Sequence, residues 1–406
     1  MIHSTSERNT EQTSSLDTKS ANAQLDASNS DIYIEEMPLL LLHLREEENG
    51  ADARLSEVLS YALDGYDYET ATDIDGLHDY IGRWRRLEEA EHRKNPVQGR
   101  ILFAVPLGVS GVNLELYHLI RFLREHPDFL NGFVGGLLVD SENDLYSKSV
   151  AKDLVFAANC AGCAFVGRPL VEGTRTLSNY TIISGNLGTD LMGAYRESAA
   201  GLVKEVLGTD FVKKKCPKVL VLHASSHKTS NTYAIWNRVK EKLPEMEIKE
   251  IGLRNGTLSD CAGCPYKMCL HFGEQGSCFY GGVMVEDVYP AVREADAIVM
   301  LCPNYNDALS ANLTAFINRL TSLFRTTRFY DKALFAVVVS GYSGSDIVAE
   351  QLIAALNMNK TFYLPGKFAM METANNAGAA MQLPGIEERM DAFAKRIRET
   401  LLFTRA

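Results

Sequence analysis

Four cysteines fall within eighteen residues, in the run Cys261-Ala-Gly-Cys264-Pro-Tyr-Lys-Met-Cys269 followed by Cys278. Thiolates this dense, spaced C-x2-C-x4-C-x8-C, can surround a cubane iron–sulfur cluster or a tetrahedral zinc ion, since both are built from sulfur ligands on short segments. Free or reversibly oxidised thiols are the remaining reading. Gly263, Gly273 and Gly276 allow the tight backbone turns that such a centre needs, and His271 is a candidate to replace one sulfur. The tetrapeptide Cys160-Ala-Gly-Cys163 repeats the first pair without a second pair nearby, and reads as a tight turn with two buried thiols. Cys302 ends an apolar run and reads as packing.

A second set of residues suits an anion. In His223-Ala-Ser-Ser-His-Lys-Thr-Ser-Asn-Thr232 an apolar strand passes through a hydroxyl-rich loop into a helix. Backbone N–H groups at a helix start point toward a bound phosphate. Ser225, Ser230, Asn231 and Thr232 add polar side chains, and His227 and Lys228 add charge. The plainer reading of Ser230 and Asn231 is as helix caps. Two more polar loops leave apolar strands, Pro303-Asn304-Tyr305-Asn306 and Ser340-Gly341-Tyr342-Ser343-Gly344. In a doubly wound sheet, ligands collect at the carboxyl ends of strands near the switch in strand order. Three such loops predict one pocket for a phosphorylated flat ligand, with Tyr305 covering it and Asn304 and Asn306 bonding its edge.

The elements that must position these loops are legible as alternating apolar runs and amphipathic stretches, the mark of an α/β fold. Residues 217–406 give five strand–helix units, with strands expected near 219–223, 248–253, 297–302, 334–340 and 368–371. The run Leu334–Ser340 is almost wholly apolar, as in the middle of a parallel sheet. Residues 32–212 read as a second α/β domain, with strands near 38–42, 101–105, 133–139 and 163–166. The lysine run 213–215 reads as a linker, and 1–31, rich in Ser, Thr, Asn and Gln, as a disordered tail. Ile101–Val105 and Val219–His223 occupy equal places, each with an Asn opening a helix twelve residues on, at Asn113 and Asn231. That pattern admits an internal duplication.

The formal net charge of −11 and pI near 5.4 argue against a nucleic-acid surface or a polybasic membrane anchor, both of which need clustered positive charge. No apolar run approaches the roughly 18 residues of a membrane span, and the N-terminus lacks a signal-peptide core. A cytoplasmic location, where thiols stay reduced, is the expectation.

From about Lys218 to Leu402 the chain resembles the NADPH-dependent FMN reductase group of the flavodoxin-like superfamily. The family's phosphate loop, Gly-Ser-Pro-Arg ending in Asn-Thr, aligns with Ala224-Ser225-Ser226-His227 and Asn231-Thr232. Ala and His here replace the family's Gly and Arg. Its Pro-x-Tyr loop and following Asp-Arg helix align with Pro303-Asn-Tyr305 and Asn318-Arg319. The cysteine segment resembles that of the iron–sulfur flavoproteins, whose usual spacing is C-x2-C-x2-C. Here Lys267 stands at the third position, and the cysteine comes two residues later as Cys269.

The resemblance implies a flavodoxin-like parallel sheet that holds FMN, with Pro303 to Asn306 bordering the ring system. It implies NAD(P)H as electron donor, a [4Fe–4S] cluster on Cys261, Cys264, Cys269 and Cys278, a small-molecule or protein electron acceptor, and a homo-oligomer. No side chain is assigned as acid or base, because the cofactors carry the chemistry. The alternative from another class is an FMN and iron–sulfur carrier or redox sensor that does not turn over NAD(P)H.

Overall fold

The computed structural model describes residues 37–45, 50–90, 98–225 and 229–403. The expected tail 1–31 and the candidates His227 and Lys228 lie outside the described residues. In the N-terminal half the elements are β1 (Leu39–His43), α1 (Gly50–Ala62), β2 (Tyr68–Ala71), α2 (Ile74–Ala90), β3 (Gly99–Leu107), α3 (Leu114–Glu125), β4 (Phe133–Ser141), α4 (Ser147–Cys160), β5 (Ala164–Gly173), α5 (Thr181–Leu187) and α6 (Leu191–Gly208). In the C-terminal half they are β6 (Lys218–His223), α7 (Asn231–Glu241), β7 (Glu247–Gly252), α8 (Tyr266–Glu274), α9 (Tyr289–Glu294), β8 (Ala297–Pro303), α10 (Ala311–Phe324), β9 (Ala333–Ser340), α11 (Ser345–Leu352), β10 (Ala369–Thr373) and α12 (Ile386–Leu401).

Each half is a five-stranded parallel sheet, ordered β2-β1-β3-β4-β5 in the first and β7-β6-β8-β9-β10 in the second. Counted within each half, both run second, first, third, fourth, fifth, the flavodoxin-like order. The apolar runs lie where burial on both faces demands them. Every residue of β4 and β9 is buried, whereas the edge strand β2 exposes Tyr68 and Thr70 and the edge strand β7 exposes Glu247 and Lys249. Along the strands the side chains alternate between two cores. Leu40, Phe103, Leu220 and Met300 belong to one, and Leu41, Leu102, Val221 and Val299 to the other. Each core runs through both halves.

The halves are joined by backbone as well as by packing. Phe165 N–H donates to Leu364 O (2.8 Å) and Leu364 N–H to Phe165 O (2.9 Å). Buried Asn159 donates Nδ2 to Pro365 O (2.7 Å), and buried Asn357 donates Nδ2 to Val166 O (2.9 Å). Residues 213–215, read from sequence as a linker, are pinned: Lys214 N–H donates to Leu401 O (2.8 Å), and Phe403 N–H donates to Lys214 O (3.0 Å).

At the carboxyl end of β4, fully buried Asp140 receives Arg54 through contacts of 2.7, 3.0 and 3.1 Å. Arg54 also donates to Ser141 O and Arg175 O. Removing one partner of such a pair strands the other charge. Asp140→Ala should therefore lower unfolding stability by about 2–3 kcal/mol in a urea titration. A loss under about 0.5 kcal/mol would show the pair to be dispensable.

Candidate functional site

The loops that leave β6, β8 and β9 sit at the carboxyl ends of three adjacent strands. Ser230 ends the first loop with extended backbone and caps α7, its Oγ accepting from Tyr233 N–H (3.3 Å) and lying 2.9 Å from Thr232 Oγ1. The capping reading of Ser230 thus holds, and it fixes the helix start whose N–H groups face the loop. Asn231 reaches across instead, donating Nδ2 to Ala374 O (3.1 Å) and Asn376 O (2.9 Å) in the loop after β10.

In the second loop Pro303 is the last residue of β8 and Asn304 is the clasp. Its Nδ2 lies 3.0 Å from Ser340 Oγ, 3.1 Å from Ser343 O and 3.2 Å from Asp307 Oδ1. One amide thus ties the second loop to the third. Tyr305 and Ala308 exchange backbone hydrogen bonds of 3.2 Å around a turn in which Asn306 and Asp307 take left-handed φ of 54° and 56°. Asn306 is exposed there and makes no bond to the other loops among the described residues. Tyr305 and Tyr342 are 56% and 81% exposed, leaving two aromatic rings for an incoming flat molecule to cover.

The sequence reading missed the loop after β10. Asn375 donates Nδ2 to Tyr342 OH (3.1 Å), and a Cβ on Gly341 would come within 3.1 Å of Asn375 Oδ1. Polar Thr373-Ala-Asn-Asn-Ala-Gly378 after the last strand was the available signal.

Two buried polar atoms in this cradle, Ser225 Oγ and Asn304 Oδ1, have no hydrogen-bond partner among the described residues. Buried polar groups are normally paired. Unmet atoms on two of three converging loops fit a polar ligand such as FMN.

The cysteine segment is not one loop. Residues 266–274 form α8, which carries Cys269 one turn in, with Cys269 N–H donating to Pro265 O (3.0 Å). A third cysteine displaced by two residues therefore rides on a helix. Cys261, Cys264, Cys269 and Cys278 all line one cavity of about 330 Å3, with Phe272, Tyr280, Asn318, Arg319 and Arg325. Tyr280 lines the cavity, and the buried Tyr289 hydroxyl donates to the main-chain carbonyl of its lining residue Arg319. Among the described residues, no three Cys, His, Asp or Glu side chains are gathered as around a single metal ion. The donor chemistry of four thiols on one cavity nevertheless fits a thiolate-bound centre. His271, the reserve ligand, lies instead 3.1 Å from Gln275 Nε2.

Helix α10 holds this cavity in place. Asn312 Nδ2 donates to Leu253 O (2.7 Å), Asn318 Nδ2 to Asp260 Oδ1 (3.0 Å), Arg319 Nη2 to Gly281 O (2.7 Å) and Ser322 Oγ to Ser277 O (2.6 Å). The same helix begins just after the Pro303–Asn306 loop, so one rigid element links the cradle to the thiols. Cys163 and Cys302 are fully buried, and burial pushes both thiols well above their ordinary range; burial also raises half-buried Cys160, to about 11. Only thiolates react with alkylating agents. Brief iodoacetamide treatment of the native apoprotein at pH 8 should label Cys261 and Cys216 and spare Cys163 and Cys302 by mass spectrometry. Equal labelling of all eight would contradict the burial.

A parallel sheet in this strand order, with three polar loops converging at the carboxyl ends of its first, third and fourth strands, is a flavodoxin-like domain. Residues 217–376 match the family model described as NADPH-dependent FMN reductase. Similar solved structures include RosB with bound 8-demethyl-8-formylriboflavin-5'-phosphate (13% identity, 47% of this chain and 82% of that one, TM-score 0.35). Others are the NAD(P)H:quinone oxidoreductase from Methanothermobacter marburgensis (16%, 45% and 94%, TM-score 0.33) and an azoreductase from Bacillus anthracis (16%, 45% and 97%, TM-score 0.33). No curated protein sequence matches the chain. Among the described residues, no helix is long and apolar enough to cross a membrane.

Proposed function

We propose that the chain is an FMN-dependent NAD(P)H oxidoreductase whose electrons leave through a [4Fe–4S] cluster on Cys261, Cys264, Cys269 and Cys278. The observation that carries the reading is the cradle itself: Asn304 ties the loop after β8 to that after β9, Asn231 ties the loop after β6 to that after β10, and Ser225 Oγ and Asn304 Oδ1 are buried without a partner among the described residues. The family match over 217–376 supplies the flavin and the nicotinamide donor.

In this reading the α7 start, Ser225, Ser230 and Thr232 hold the phosphate, assisted by His227. Pro303, Asn304, Tyr305 and Asn306 border the ring system on one side and Ser340, Gly341 and Tyr342 on the other. When bound, FMN supplies conversion between a two-electron donor and one-electron carriers, and the cluster supplies the one-electron carrier. Tyr305 and Tyr342 exclude water from the ring faces, and Asn304 fixes the loops that orient its edge. Helix α10 keeps the thiols at a set place relative to that edge. The acceptor is a small molecule or a redox protein.

The test is rapid anaerobic mixing of the FMN-loaded chain with NADPH and, separately, NADH. Bleaching of the flavin absorbance by at least one of them supports the oxidoreductase. A flavin that stays oxidised with both, yet is reduced by dithionite, overturns turnover and leaves an electron carrier.

A further inference from the structure

The cysteine cavity contains a buried positive charge that nothing in the described structure balances. Arg319 is 2% exposed and lines the cavity with the four cysteines. Its Nη2 donates to Gly281 O, a neutral carbonyl, and its Nε has no hydrogen-bond partner among the described residues. Among the described residues its guanidinium makes that one hydrogen bond, to an uncharged acceptor. Its main-chain carbonyl accepts from the buried Tyr289 hydroxyl (2.6 Å), which ties this turn of α10 to Tyr289. Arg325, six residues on at the end of α10, lines the same cavity, its guanidinium 4.7 Å over the Tyr266 ring and its Nε also without a partner among the described residues.

A buried guanidinium without an anion costs several kcal/mol in desolvation. Such a residue is tolerated where an anion of the working protein completes it. The remaining polar lining contains no acidic side chain: it is Tyr280, Asn318, Thr321, Ser322 and the four cysteines.

We infer that Arg319, backed by Arg325, is the counter-charge of an anionic thiolate-bound centre in this cavity and raises that centre's reduction potential. The inference rests on the cluster reading given above. One electron arriving from reduced FMN makes a four-thiolate centre one unit more negative, with no bond made or broken. A fixed cation inside a low-dielectric cavity stabilises the more negative state most, and buried charge and hydrogen bonding at sulfur are recognised controls of cluster potential. Arg319 thus acts on the direction of electron flow from flavin to cluster rather than on flavin binding.

The experiment is an anaerobic redox titration of the whole chain followed by electron paramagnetic resonance, with iron, acid-labile sulfide and FMN measured on the same samples. Arg319→Gln should shift the reduction equilibrium at least tenfold toward the oxidised centre, which is about 59 mV for one electron. Arg319→Lys, which keeps the charge, should recover most of that shift. Arg325→Gln, at a half-buried position, should shift it about threefold in the same direction. FMN content should stay at the wild-type level throughout.

A wild-type potential in Arg319→Gln with iron and FMN intact overturns the inference alone. If Arg319→Gln cannot be obtained folded, Arg325→Gln decides, and a wild-type potential there overturns it. Absence of iron and sulfide from anaerobically prepared wild-type protein overturns the cluster reading and this inference together.

Discussion

Replacing Asn304 with alanine is expected to weaken FMN binding by about 100-fold, or about 2.7 kcal/mol, while the sheet stays folded. The effect has two sources. Its Nδ2 holds the loop after β8 against the loop after β9 through Ser340 Oγ and Ser343 O, and holds the left-handed turn through Asp307 Oδ1. Each such bond contributes about 1 kcal/mol net, and without them both loops must be ordered again on binding. Its Oδ1 is buried without a partner among the described residues, and in the proposed reading it also contacts the ligand. Asn304→Asp keeps the shape and the acceptor but loses the donor, so it should fall between wild type and alanine. Quenching of flavin fluorescence on titration reads all three. A change below threefold in the alanine variant would remove Asn304 from the site.

The second large effect is on iron. Cys264→Ser should abolish iron and labile sulfide in anaerobically purified protein while leaving FMN content near one per chain. The reason is positional. Cys264 lines the cavity walled by Cys261, Cys269 and Cys278, and serine is a poor replacement for a thiolate ligand. The flavin loops arise from β6, β8 and β9, whereas the cysteines arise after β7. Cys160→Ser serves as the comparison. It sits at the end of α4, in the turn before β5, away from that cavity, and iron content should not change. Equal iron in Cys264→Ser and wild type would show that these thiols do not bind it.

Most of the sheet was readable because parallel strands buried on both faces must be apolar throughout, and Phe133–Val139 and Leu334–Ser340 are. The edge strand β2 was not, since Tyr68-Glu-Thr-Ala is short, mostly exposed and has no apolar run to announce it. Helix α8 was hidden for a different reason: Pro265, Cys269 and Gly273 obscure its periodicity, and its apolar face looks into the thiol cavity instead of a core. The helices contain π-helical turns at Met284–Val288 and Ile353–Met358, a change of hydrogen-bond register that composition does not reveal.

At the site, the three loops were visible as clusters of small polar residues following apolar strands. What joins them was not. The bonds from Asn304 to Ser340 and from Asn231 to Ala374 and Asn376 depend on strand order, which brings residues 36 to 145 positions apart to one end of the sheet. The burial of Arg319 was equally silent, because an arginine in the middle of an amphipathic helix normally faces water.

The same strand order in both halves sharpens one consequence. In the N-terminal sheet the start of α1 is already occupied by the chain's own carboxylate, since Gly50 N–H donates to Glu142 Oε1 at 2.9 Å. That half has its anion position filled by its own chain. Calorimetric titration of the flavin-free whole chain with FMN and with riboflavin therefore tests the central claim most directly. The account predicts one FMN per chain, with riboflavin, which lacks the phosphate, bound at least 100-fold more weakly, or about 2.7 kcal/mol. Absence of FMN binding, or equal affinity for the two flavins, would contradict it.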